Sequence, residues 1–178
     1  MRALILKKVV APVKDRKKNK FMAAEAALDF VQIDFGSNEY QQLLCLRLRY
    51  LREPLGLQFS EKDLASEESD VHFGARTTDG LIIGGLALRL DGLACRLRQM
   101  LVHPDLRRRG VGKLLLKHAE TYCLEQDVLH MSMHARLSAK DFYEKCGYRQ
   151  LGDSFVEVTI PHIIMNKQLE KFQNLRGK

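Results

Sequence analysis

Residues 107–113 have the residue types and spacing of an anion-binding loop. The segment reads RRRGVGK and stands between a predicted strand and a predicted helix. Gly110 and Gly112 leave the backbone N–H groups unobstructed, and the N-terminus of the helix adds about half a positive charge. Full charges come from four side chains, Arg107, Arg108, Arg109 and Lys113. Together these groups predict a site for a pyrophosphate and further phosphate groups.

The spacing excludes two common nucleotide loops. A Walker A loop would need glycine in place of Arg107 and serine or threonine in place of Leu114. The dinucleotide fingerprint would need a third glycine in place of Leu115. Neither ATP nor NAD is therefore favoured as the ligand.

A second motif lies about thirty residues further along, where residues 142–148 read FYEKCGY. The order of this motif after Arg107-x-x-Gly110-x-Gly112, with a predicted hairpin ahead of both, resembles the GCN5-related N-acetyltransferase (GNAT) superfamily. The resemblance covers roughly residues 30–170, and residues 159–167 resemble the last strands of small bacterial members whose acceptors are mostly unassigned. It implies a mixed α/β fold, with a mostly antiparallel sheet of about six to seven strands flanked by helices. It also implies acetyl-CoA as co-substrate, with no metal.

The same resemblance implies roles for individual residues. Tyr143 would protonate the departing sulfur as general acid, although a coenzyme-packing aromatic ring is an alternative role. The backbone at residues 100–102 would bind the pantetheine arm like an added strand and polarise the thioester carbonyl. The full coenzyme site would comprise Met100, Leu101, Val102, Arg107, Arg108, Arg109, Gly110, Val111, Gly112, Lys113, Arg136 and Phe142.

Two positions depart from the family pattern. Arg96 stands where many members carry the glutamate that acts as general base, and Arg136 replaces a frequent asparagine. Substitute bases are left open among six residues, Glu67, Glu68, Asp70, His72, His134 and His162, and a water relay would need none of them. If Arg96 and Arg98 line the acceptor cleft, the acceptor amine would also carry a carboxylate or phosphate.

The hydrophobic pattern predicts the elements that position these residues. Alternating or apolar runs predict strands over 30–35, 71–76, 81–90, 93–102, 128–135, 155–160 and 162–169, with the last two separated by Pro161. Asp91-Gly92 is expected to form the turn between the third and fourth of these runs, 81–90 and 93–102. Helices are predicted after Ser37 or Asn38 as far as residues 54–56, over 111–125, and over 138–145. Because helices are predicted between only some of the strands, the pattern indicates a mixed α/β sheet.

Composition restricts the class of protein. The 178 residues suit one domain, and the whole net charge of +7 lies in residues 1–20, which we expect to form a basic arm before a single domain at 21–178. No apolar run approaches the roughly 18 residues of a membrane span, and no signal-peptide pattern is recognised, so a cytoplasmic location is expected. The cysteines lack the spacing of a zinc site.

Three functional classes follow. The first is an N-acetyltransferase that uses acetyl-CoA to modify the primary amine of a small molecule or a protein. The second is a non-catalytic CoA or acyl-CoA binding module. The third is nucleic-acid binding through the basic arm, which is disfavoured because the arm lacks interleaved aromatic residues. A homodimer is compatible with the sequence.

Overall fold

A seven-stranded sheet forms the centre of the molecule in the computed structural model, which describes residues 28–171. Its strands are β1 (Leu28–Ile33), β2 (Val71–Thr77), β3 (Ile82–Asp91), β4 (Ala94–Val102), β5 (His130–Arg136), β6 (Arg149–Glu157) and β7 (Ile160–Gln168). The strand order is β1-β2-β3-β4-β5-β7-β6, and every neighbouring pair is antiparallel except β4 with β5. The predicted mixed, mostly antiparallel α/β fold is confirmed.

Four α-helices connect or follow the strands. They are α1 (Asn38–Arg47), α2 (Glu61–Ala65), α3 (Val111–Glu125) and α4 (Lys140–Lys145). The path of α1 continues as a π-helical segment, Leu48–Arg52, and then as a 3₁₀ turn that ends before Gly56. Shorter 3₁₀ turns, Pro104–Leu106 and Leu137–Ala139, precede α3 and α4. Ser37 accepts the N–H of Tyr40 and so caps α1, as the sequence predicts for this position.

The two faces of the sheet carry different helices. Leu115, Leu116 and Ala119 of α3 are buried against Met131 and neighbouring apolar residues of the sheet. Their spacing of three and four residues places them on one stripe of the helix, which is why this helix was predictable from the sequence. A second core forms around α1, and a third, smaller one lies below the start of α3.

Gly85 sets the close approach between α1 and the sheet. A Cβ atom at this position would lie 2.5 Å from the carbonyl oxygen of Phe73 and 2.6 Å from Cδ1 of Leu43. Since real Cβ atoms do not approach other atoms so closely, only glycine lets the helix settle at this depth.

Two predicted turns are wrong by one or a few residues. Asp91 pairs with Ala94, so the two-residue loop is Gly92-Leu93, with Gly92 at a φ of +55°. Pro161 does not separate the last two strands. It lies inside β7 opposite Val156, and the chain reverses at Val158 and Thr159, both with positive φ.

Strand limits differ from prediction mainly at β6, which begins at Arg149 and not at Phe155. Much of this strand is exposed, and a bulge interrupts its pairing with β7 between Leu151 and Phe155, so its hydrophobic alternation is weak. The predicted basic arm lies outside the described residues. None of the helices between residues 28 and 171 combines the length and the apolar character that a bilayer crossing requires.

Candidate active site

Strands β4 and β5 separate after a short stretch of pairing. The register runs from Ala94 opposite His130 to Leu97 opposite Met133 and continues no further. A bulge in β4 lies immediately beyond this point, because Gln99 and Met100 together oppose the single residue Leu86, and Gln99 has a φ of +52°. A bulge turns a strand away from its neighbour. The backbone at residues 100–102 therefore faces a gap that an extended ligand can enter.

The N-terminus of α3 follows directly from the open end of β4. Gly110 is the N-cap residue, with a φ of +83°, and no side chain of the described residues caps the first turn. The N–H groups of Val111, Gly112 and Lys113 consequently have no helical acceptor and are available to an anion. The side chains of Arg107, Arg108, Arg109 and Lys113 are exposed around this turn.

Arg107 and Gly112 make close contacts around the N-terminus of α3. Arg107 Nε donates to the carbonyl oxygen of Val102 at 3.0 Å, which brings this arginine back against the end of β4. A Cβ atom at Gly112 would lie 3.4 Å from the Phe142 ring and 3.6 Å from Cε of Met100. Gly112 at the helix N-terminus thus lies directly beside the aromatic motif and the bulge, with room for a Cβ atom but little more.

Tyr143 lies on the α3 side of the gap and is 7% exposed. Its hydroxyl donates to Sδ of Met100 at 3.6 Å, and its ring lies 5.0 Å from that of Phe142. Burial raises the pKa of Tyr143 above its usual value, with a smaller contribution from Cys146. The phenol therefore remains protonated at neutral pH and acts there as a hydrogen-bond donor.

The π-helical segment after α1 contacts both sides of the gap. Tyr50 Oη lies 3.0 Å from Nε2 of His103, just beyond the end of β4. Arg136 at the end of β5 donates from Nη2 to the carbonyl oxygen of Leu51 at 2.9 Å. Burial, and then the charge of Arg107, lower the pKa of Arg136. Arg136 thus lies at the end of β5 with its hydrogen bond to the π-helical segment, and its role in coenzyme binding stays a prediction.

Glu67 is part of a buried network. It is 1% exposed, and its Oε2 accepts from Arg47 Nη1 at 3.0 Å and from the Tyr40 hydroxyl at 2.9 Å. Oε1 accepts from the side chain of Gln99, the residue at the bulge. His72 Nε2 lies 3.1 Å from the Glu67 carbonyl oxygen. These contacts bind three elements together and leave the carboxylate fully occupied.

Asp70 is likewise occupied, by two arginines. Its side chain is fully buried, Arg89 Nε lies 2.7 Å from Oδ1, and Arg98 Nη1 lies 2.9 Å from Oδ2. Glu68 is exposed on the segment between these two acids. Of the six candidate bases, Glu67, Asp70 and His72 thus belong to the packing of α1 and α2 against the sheet.

The remaining two candidates lie on the sheet face that carries α1. His134 Nδ1 is 3.0 Å from Oε2 of Glu157, and Arg96 Nη2 lies 2.9 Å from Nε2 of His134. His162 Nδ1 lies 2.9 Å from the carbonyl oxygen of Ile160. Of these two histidines, His134 is therefore the one that is paired with a carboxylate, and Arg96 lies beside it.

Three features of this site escaped sequence reasoning. The bulge at Gln99 has no local signal, because glutamine is not a residue that favours positive φ. The contacts of the π-helical segment and the partnership of Glu157 with His134 join residues that are far apart in the chain. Within residues 28–171, no group of three or more histidine, cysteine or acidic side chains is arranged to hold a metal ion.

The separated strands, the uncapped helix N-terminus and the buried phenol define a fold of the acyltransferase class. Residues 48–169 match the family model described as the acetyltransferase (GNAT) domain, and the chain belongs to this family. A Bacillus subtilis relative named "putative acetyltransferase" is 31% identical over 86 residues, which are 48% of this chain. The chain spans 58% of the length of that relative.

Solved structures share the fold. A "putative N-acetyltransferase" from Lactobacillus plantarum superposes with a TM-score of 0.72 at 26% identity, over 81% of this chain and 99% of the other. An aminoglycoside 6'-N-acetyltransferase complexed with coenzyme A gives a TM-score of 0.66 at 16% identity, over 80% and 98% of the two chains. The second likeness concerns the fold alone.

Proposed function

We propose that the protein is an acetyl-CoA-dependent N-acetyltransferase that modifies the primary amine of a small molecule or a protein amino group. The observation that carries this proposal is the gap between β4 and β5, which opens onto the uncapped N-terminus of α3. Family membership supports acyl transfer as the reaction class.

The coenzyme fits the residues present. The pyrophosphate would accept hydrogen bonds from the first-turn N–H groups of α3, where Gly110 and Gly112 allow close approach. Four exposed basic side chains, Arg107, Arg108, Arg109 and Lys113, would neutralise its phosphates. The pantetheine arm would run along residues 100–102, which have a hydrogen-bonded neighbour strand on the β3 side. Bound acetyl-CoA would supply the activated thioester.

Tyr143 would provide the proton for the departing thiolate. Its hydroxyl already points to a sulfur atom, that of Met100, across the floor of the gap. Because burial raises its pKa, the phenol holds its proton until negative charge develops on an acceptor nearby. Backbone N–H groups at residues 100–102 would stabilise the oxyanion that forms on the thioester carbonyl.

Calorimetry with acetyl-CoA tests the binding half of this proposal. Gly112→Val places a branched side chain against the Phe142 ring, so we expect at least a tenfold loss of affinity, about 1.4 kcal/mol. Leu114→Val is the matched control, since it changes an exposed residue of the same helix turn. Equal affinities of wild type and Gly112→Val would contradict the placement of the pyrophosphate.

A thiol-release assay over a panel of primary amines tests the catalytic half. Release of CoA with formation of the N-acetylated amine is the expected result. Binding of acetyl-CoA without turnover on the panel would favour a non-catalytic CoA-binding module. Failure to bind CoA at all would overturn the proposal.

A further inference from the structure

Three charged or titratable side chains meet at the closed end of the gap. Arg96 and Ser132 are paired in the last stretch of β4–β5 register, and His134 lies two residues beyond Ser132 on the same face of the sheet. Glu157 reaches this face from β6 and contacts His134 Nδ1 at 3.0 Å. The ring of Phe155 lies 4.9 Å from that of His134 and forms one wall of the cluster.

The chemistry of the partners fixes the hydrogen positions on His134. Arg96 Nη2 lies 2.7 Å from Nδ1 and 2.9 Å from Nε2. A carboxylate only accepts, so Nδ1 must carry the hydrogen that is donated to Glu157. Arg96 Nη2 is nearly equidistant from the two ring nitrogens, so it packs against the face of the ring and is not in line with the Nε2 lone pair. In this state Nε2 is the ring nitrogen that can accept a proton, and the positive charge of Arg96 lies beside the ring.

Arg96 differs in one respect from the next arginine on its strand. Arg98 forms an ion pair with buried Asp70 at 2.9 Å. The guanidinium of Arg96 is exposed and has no carboxylate within ion-pair distance in the part of the chain that the structure describes. A planar guanidinium with a neutral partner is a ready receptor for a carboxylate, which offers two oxygens and one matching charge.

We propose that the acceptor is an amine that also carries a carboxylate, that Arg96 binds this carboxylate, and that Nε2 of His134 acts as the general base. This inference rests on the proposed N-acetyltransferase function and deepens it. A phosphate is less suited than a carboxylate, because its second negative charge would need a second free cation and Arg98 is committed to Asp70.

The proton and bond changes balance without any further reactant. A primary amine reaches the enzyme as an ammonium ion, since its ordinary pKa is about 10.4. Nε2 of His134 takes one proton, and the imidazolium is held by Glu157. The nitrogen lone pair then forms the C–N bond to the thioester carbon as the C–S bond breaks. The thiolate leaves with a proton from Tyr143, and the second proton of the attacking nitrogen returns the Tyr143 phenolate to phenol. The products are the amide and CoA, with one proton left on His134.

Other charged groups near this face are engaged elsewhere. Arg136 lies two residues beyond His134 and donates to Leu51, while His162 on β7 bonds its own loop carbonyl at Ile160. Neither places a carboxylate beside Arg96 or His134. The acceptor carboxylate would thus meet Arg96 without competition from these side chains.

Matched acceptor pairs test the proposal. Thiol release is measured with β-alanine and propylamine, phenylalanine and phenethylamine, and lysine and cadaverine, each pair differing by one carboxylate. Wild type should prefer the carboxylate-bearing member by about tenfold or more in kcat/KM. Arg96→Met should lower kcat/KM for that member and leave it near the wild-type value for the plain amine, because only the carboxylate loses its partner. Arg149→Met, an exposed arginine of β6, is the control and should match wild type.

His134→Gln completes the test. It should lower kcat by about 10²-fold for the preferred acceptor and leave its KM unchanged, because the carboxylate site at Arg96 remains. Equal use of both members of every pair, or an Arg96→Met variant that loses activity equally on both, would overturn the inference while leaving N-acetylation intact. Absence of thiol release from all six amines would instead count against the proposed function.

Discussion

Glu67 provides the sharpest test of how the structure divides carboxylates between packing and chemistry. Glu67→Gln keeps the shape of the side chain but removes the charge that balances Arg47, and both side chains are essentially unexposed. A buried ion that loses its partner costs about 3–5 kcal/mol. The loss should be at the upper end here, because Nε and Nη2 of Arg47 have no partner among the described residues and cannot offset it.

Urea denaturation followed by circular dichroism measures this loss as a change in the free energy of unfolding. For a domain of this size each kcal/mol lowers Tm by about 2–4 °C, so the melting temperature should fall by roughly 6–20 °C. The control is Glu144→Gln, which breaks an exposed ion pair with Lys140 at 3.7 Å. That variant should lose no more than about 0.5 kcal/mol.

A double-mutant cycle separates the ion pair from its surroundings. If Arg47→Met is combined with Glu67→Gln, the second substitution should cost at least about 1 kcal/mol less than it does alone, because no unpaired cation remains. A Glu67→Gln variant that loses less than 1 kcal/mol, or a cycle with additive losses, would refute the reasoning. A variant of unchanged stability that has lost turnover would restore Glu67 as the catalytic base.

Three further outcomes follow from groups around the site. Burial lowers the pKa of His72, so the folded state resists protonation of this side chain. The stability that neutral His72 contributes above about pH 6.5 should be lost as the pH falls below that value. Denaturation measured as a function of pH should show a smaller loss of stability at low pH for His72→Gln than for wild type. Gly85→Ala should cost about 1–3 kcal/mol in thermal or urea unfolding, because its Cβ would meet Phe73 and Leu43. Tyr143→Phe should lower kcat by about 10²-fold and leave the calorimetric affinity for acetyl-CoA unchanged; unchanged kcat would remove its acid role.

Local patterns were sufficient to predict the elements that carry a strong period. Helix α3 has the predicted limits, Val111–Glu125, because an apolar stripe and a glycine at its start both indicate the same boundary. The β3–β4 hairpin was also predicted, although its loop is displaced by one residue to Gly92-Leu93. Either register would place Gly92 in the turn, so the local sequence alone did not distinguish them.

Long-range contacts explain what the sequence did not reveal. Arg96 and Arg98 share a strand face and an identical side chain, yet one contacts His134 and the other Asp70. The partner of Arg98 lies 28 residues before it in the chain, and the partner of Arg96 lies 38 residues after it. Six candidate bases were equivalent in the sequence for the same reason, since burial and partners separate them only after folding.

The short seam between β4 and β5 has a mechanical consequence. Four residue pairs join the strands β1–β4 to the strands β5–β7, and the π-helical segment links the far ends through Tyr50 and Leu51. The two parts of the sheet are thus joined by a short stretch of strand pairing and, beyond the gap, by the contacts of the π-helical segment. Acetyl-CoA bound in the gap between β4 and β5 would extend the contact between the two parts of the sheet. Its binding should therefore make the two parts unfold as one unit and slow amide hydrogen exchange in both.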